Sequence, residues 1–112
     1  MKFIRKLEGE MYTPSGHDST VQSKKLFNPQ NGSFKVDVHI TTFAPGAGMS
    51  EEVHAENDHI FFILSGTLSI YQQGNLVGII SEGDAVYIPA GEKHEVRNTG
   101  NVDGVFIAVT TM

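Results

Sequence analysis

Three of the five histidines in this 112-residue sequence, His54, His59 and His94, fall beside expected strand starts and turns. Short stretches of regular backbone there can hold side chains at fixed separations. A neutral imidazole ligates borderline divalent metals, and near neutral pH it also moves protons. Glu52 lies two residues before His54 and Glu56 two residues after it. Residues two apart on a strand share a face, so either carboxylate can join His54. Three imidazoles with at most one carboxylate would suit Fe(II), Mn(II), Ni(II), Cu(II) or Zn(II). Such a set disfavours Mg and Ca, which want oxygen. His17 and His39 read differently, as surface or hydrogen-bonded residues, His17 in a polar loop and His39 on the polar side of a strand.

The elements that position these residues are strands. Turn signals recur throughout: Asn31-Gly32, Pro45-Gly46, Ser65-Gly66, Gly74-Asn75, Glu82-Gly83-Asp84, Pro89-Ala90-Gly91, Gly100-Asn101 and Asp103-Gly104. Residues 34–43 alternate, with Phe34, Val36, Val38 and Ile40 on the expected buried face and Lys35, Asp37, His39 and Thr41 opposite. Further strands are expected over 60–64, 67–72, 76–80, 85–88, 92–98 and 105–110. No segment sustains helical apolar spacing, and 12 glycines suit frequent tight turns. The pattern predicts an all-β sandwich or barrel. Phe61, Ile63, Tyr71, Val86, Ile88, Val96 and Phe106 are candidates to line it. Residues 1–30 carry Pro14, Gly16 and Pro29, and only 1–7 and 21–27 look able to order. They read as an N-terminal arm that adds a strand or a dimer contact to a barrel over 31–112.

Two spacings are informative. Gly83, Pro89, Gly91, His94 and Asn98 are separated by five, one, two and three residues. A chance match at one start is on the order of one in millions from residue frequencies. Pro89-Ala90-Gly91 makes a tight turn, after which His94, Val96 and Asn98 share a strand face. Asn98 reads as a structural hydrogen-bonding residue. Upstream, Gly46, Glu52, His54, His59 and Gly66 form a second frame, and a register starting at Gly48 places His54 first and Glu56 next. Both registers retain His54 and His59, and they differ in which glutamate could bind.

The two frames resemble the two motifs of the cupin superfamily. The later frame matches every fixed position, whereas the earlier one carries Glu52 where a histidine is usual and His59 where a glutamate is usual. The resemblance spans roughly 44–98 and implies a double-stranded β-helix, or jelly-roll, barrel. It also implies one divalent transition metal ion, Fe, Mn, Ni, Cu or Zn, on His54, His59 and His94 with Glu52. Glu52 or Glu56, whichever is not a ligand, would then serve as catalytic base. The implied function is a metalloenzyme of dioxygenase, isomerase or lyase type acting on a small oxygenated organic molecule. The alternative is a barrel that binds or senses a small ligand without turnover. The resemblance further implies a homodimer.

The net charge of −5 argues against nucleic acid as a partner, since phosphates need a basic surface. The absence of cysteine excludes disulfides and thiolate metal sites. The longest apolar run, 60–64, is far short of the roughly 20 residues that cross a bilayer, and no apolar stretch of signal-peptide length follows the basic N-terminus. The expectation is a cytoplasmic protein with no membrane contact.

Overall fold

The computed structural model describes residues 2–31 and 35–112. They form ten strands: β1 (Met11–Tyr12), β2 (Gln22–Phe27), β3 (Val36–Phe43), β4 (Gly48–Glu52), β5 (His59–Ser65), β6 (Thr67–Gln72), β7 (Asn75–Ser81), β8 (Ala85–Ile88), β9 (His94–Arg97) and β10 (Gly104–Thr111). One sheet has six strands in the order β1-β2-β3-β10-β5-β8, and the other has four, β4-β9-β6-β7. Every pairing is antiparallel. This is the all-β jelly-roll barrel. Among the described residues no helix is long and apolar enough to cross a membrane.

The two inner faces meet in a core that includes Val21, Phe43, Phe61, Ile63, Leu68, Ile70, Val96 and Phe106. Phe106 packs against Phe43 in a T-shaped pair and against Phe61 at a tilt, with ring centroids 5.2 and 5.0 Å away. Of the expected lining residues, Phe61, Ile63, Ile88, Val96 and Phe106 are buried and Val86 packs against them. Tyr71 is only half-buried, and its neighbour Ile70 takes the inward position on β6.

The expected strands are present with small shifts, and β4 adds one that no alternation announced. The alternation in β3 is real, but its inside and outside are exchanged. Thr41 and Phe43 are fully buried, and His39 and Thr41 line the internal cavity, while Val36, Val38 and Ile40 are half-buried on the other side. Phe34, expected on the same face as Val36, lies outside the described residues. A two-residue period fixes which residues share a face; the contents of the barrel decide which face points in. Here that end of the interior is a polar cavity.

β1 and β2 belong to the sheet, joined by the 13–21 loop, whereas residues 2–10, part of which is expected to order, carry no strand. β2 pairs along β3, and the buried Ser23 and Thr41 hydroxyls share a 2.6 Å hydrogen bond across that pair. The turn glycines behave as their positions require. Gly91 in the Pro89-Ala90-Gly91 turn has φ 84°, and a Cβ on Gly66 would collide with the Asp103 carbonyl oxygen.

Candidate metal centre

The site sits at one end of the barrel, where three strand ends converge. Glu52 ends β4, His59 opens β5, and His94 opens β9 after the Pro89 turn. The β4–β9 register sets Glu52 opposite His94. His54 lies two residues beyond Glu52, in the chain that leaves β4, and the Gly91 N–H donates to its carbonyl at 2.7 Å. Asn98 anchors the end of the motif. It is fully buried, its Nδ2 donates to the Phe43 and Val102 carbonyls at 2.8 Å, and its Oδ1 accepts from the Gly100 N–H.

Glu52, His54 and His94 bring one potential ligand atom each to within 4.8 Å of one another. Glu52 Oε1 and His54 Nε2 are 3.1 Å apart. Donors on one ion at bonds of about 2.1 Å stand roughly 3 to 4 Å apart, so this spacing fits a shared cation. The His59 ring packs beside them, its centroid 4.2 Å from that of His54 and 5.7 Å from that of His94.

The His94 tautomer follows from its hydrogen bond: Nδ1 donates to the Glu92 carbonyl at 3.0 Å, which leaves the lone pair on Nε2. His59 Nδ1 pairs at 3.1 Å with the Thr110 hydroxyl, a group that can donate or accept. Both Nε2 atoms are buried with no hydrogen-bond partner among the described residues. Buried polar atoms without partners are costly and rare; a cation held with Glu52 and His54 would satisfy His94 Nε2, whereas His59 lies outside the group of three whose ligand atoms meet within 4.8 Å. Burial, reinforced by the neighbouring His54 and His94, pushes the His59 imidazole down from 6.5 to about 4. The ring is therefore neutral at pH 7, the state in which imidazole ligates a metal.

These side chains form part of the wall of a cavity of about 310 Å³. Met49, Phe61, Phe106 and Ala108 supply its apolar wall, and Thr110, Thr41, His39 and His17 supply polar groups. Glu56 is exposed and is not among the lining residues, whereas Glu52 is. His17 and His39, read from the sequence as surface or hydrogen-bonded residues, are hydrogen-bonded, to the Ser15 carbonyl and to Asp37, and both also line this cavity. The inverted polarity of β3 brings His39 inward. His17 arrives on the 13–21 loop, which is tied down by the Asp18 N–H to the Gly48 carbonyl at 2.9 Å and by Asp18 to Arg97 at 3.3 Å. Nothing local in the sequence announces either placement.

A family model described as a cupin domain matches residues 39–110. The oxalate-binding protein of Thermotoga maritima is 35% identical over 65 residues, 58% of this chain and 53% of that protein. A mannose-1-phosphate guanylyltransferase of Salmonella montevideo is 39% identical over 61 residues, 54% of this chain and 13% of that enzyme. The chain thus spans less than two thirds of either curated relative. The crystal structure of a predicted oxalate decarboxylase from Thermotoga maritima superposes with a TM-score of 0.85 at 26% identity, and the match covers 99% of each chain.

Proposed function

The chain belongs to the cupin family, and from that premise we propose that it is a metal-dependent cupin enzyme acting on a small oxygenated organic acid. In this reading one divalent ion, Fe, Mn, Ni, Cu or Zn, is held by His54, His59, His94 and Glu52. The observation that carries the reading is the convergence of ligand atoms from Glu52, His54 and His94 within 4.8 Å of one another, with the buried Nε2 of His94 left without a partner and the His59 ring packed beside them. When bound, the ion would polarise substrate oxygens as a Lewis acid. The chain itself supplies orientation: the Glu92 carbonyl and the Thr110 hydroxyl set the two rings. Phe61, Phe106 and Met49 give the cavity an apolar side that limits water. Glu56, exposed outside the cavity, is a poor candidate for the base.

A second reading, ligand binding without turnover, is favoured by the name of the 35% identical oxalate-binding protein. Elemental analysis of protein purified without added metal tests the first step. We expect one transition metal per chain in the wild type and its loss in His94→Ala, with the barrel still folded. Stoichiometric metal in that variant would place the site elsewhere. A screen of oxalate, hydroxy acids and sugar acids for product then separates turnover from binding. We also propose a homodimer. Its support is the outward Ile60, Phe62 and Leu64 of β5 beside Tyr87 of β8, each more than a third exposed. Light scattering in solution would read two chains; a single chain would refute it.

A further inference from the structure

The cavity wall beyond the proposed ligands carries three further side chains able to meet a bound molecule through hydrogen bonds: Ser15, His17 and His39. The Thr41 hydroxyl is engaged with Ser23, and that of Thr110 with His59. His39 is the one of the three built into the sheet. It stands on β3 across from Ala108, whose methyl group leaves the space over that strand open. Its Nδ1 lies 3.0 Å from Asp37 Oδ1. An ionised carboxylate can only accept, so the proton of neutral His39 sits on Nδ1 and the lone pair on Nε2. No hydrogen bond among the described residues uses that Nε2, and the ring is partly open, its side chain 18% exposed. His17 repeats the arrangement from the loop side, its Nδ1 donating to the Ser15 carbonyl at 2.9 Å.

Beside the Ser15 hydroxyl, the wall facing the metal centre therefore presents two imidazole lone pairs, which repel an oxygen that also carries only lone pairs. A dicarboxylate with acceptor atoms alone would leave them unmatched, at the cost of a desolvated, unpaired acceptor. A hydroxyl group would satisfy them. We propose that His39, held in its tautomer by Asp37, accepts a hydrogen bond from a ligand hydroxyl, so that the site takes a hydroxylated carboxylate, such as a 2-hydroxy acid or sugar acid, in preference to oxalate. This rests on the metal-site reading above and specifies its substrate class. His39 is a specificity determinant here, and the Asp37 carboxylate is a positioning group behind it.

The test uses matched ligands on the nickel-loaded full chain: L- and D-malate against succinate, with oxalate as the all-acceptor control, by isothermal titration. One malate enantiomer should bind more tightly than succinate. His39→Phe should weaken that malate about tenfold, the worth of one hydrogen bond to a half-buried imidazole, and leave succinate and oxalate largely unchanged. Asp37→Asn should cause a smaller loss of the same selectivity. Unchanged malate affinity in His39→Phe, or an equal loss for all ligands, would overturn the proposal. A second arm needs no variant and no metal. Nitrogen-15 NMR of the metal-free wild type at about pH 8.5 should show His39 Nε2 without a proton. A proton on Nε2 overturns the proposal whatever the metal does. Failure of the wild type to retain nickel would instead count against the metal site, and malate against succinate in the metal-free protein would still read His39.

Discussion

Lowering the pH of the metal-free protein should destabilise it through His59 before its carboxylates are titrated. The folded state holds this imidazole at about 4, against 6.5 for the ordinary group. Between those values the unfolded chain binds a proton that the folded chain refuses, so protons favour unfolding. The stability that His59 contributes is fully present above about pH 6.5 and declines as the pH falls toward 4, where it levels off. A gap of that size is worth about 3 kcal/mol, a large share of the stability of a domain this small. Urea denaturation of chelator-treated protein from about pH 7.5 to about pH 4.5 reads the slope. The same series on His59→Phe, which cannot titrate there, supplies the reference. The wild type should lose about 3 kcal/mol more than the variant across the window. Parallel curves would refute the argument, because they would show that burial of this ring does not hold it neutral.

Other perturbations read other parts of the site. Asn98→Ala strips the buried Phe43 carbonyl, the Val102 carbonyl and the Gly100 N–H of their partner and should cost about 2 to 4 kcal/mol in chemical denaturation. Thr110→Val keeps the shape but removes the group that orients His59, so metal affinity measured by competition with a chelator should fall about ten- to a hundredfold, while the metal-free melting temperature changes little. Tyr87→Phe deletes the 2.6 Å hydrogen bond that, with the Ala90 N–H, holds the Asp58 carboxyl below its ordinary 3.8. Carbon-13 NMR titration should show that value rise, yet stay under 3.8 while the Ala90 contact persists.

The parts of this site that can be read from the sequence are those set by local chemistry. Gly83 turns the chain into β8, Pro89 and Gly91 turn it into β9, and His94 and Asn98 open and follow β9, so their spacing along two short strands already encodes the placement of His94 and the anchoring role of Asn98. Glu52 and His54 follow in the same way from a two-residue repeat at the end of β4. His39 defeats such reading because alternation carries no sign. A polar residue on a strand points to water unless the barrel encloses something polar, and that depends on β5, β9 and β10 together. His17 and the 13–21 loop defeat it for another reason. Asp18 is held by Gly48 and by Arg97, partners distant in sequence, so a segment that looks like a loose arm becomes a wall of the cavity. β4 was missed because Ser50, Glu51 and Glu52 show none of the apolar alternation that marks a strand, yet its pairing with β9 holds it in place.

The central position of β10 has a consequence for how the protein is made. It lies between β3 and β5 and contributes Ala108 and Thr110 to the cavity, yet it leaves the ribosome after every other strand described. Until it arrives, the larger sheet is split, and β3 and β5 each present an unpaired edge to the cell. β5 carries Ile60, Phe62 and Leu64 on its outward side, so the nascent chain passes through a stage with both a sticky strand edge and an apolar surface. Closure requires pairings across most of the chain, the slow kind of contact to form. Conditions that delay the last eight-residue strand should therefore raise aggregation of the newborn chain without changing the stability of the finished barrel.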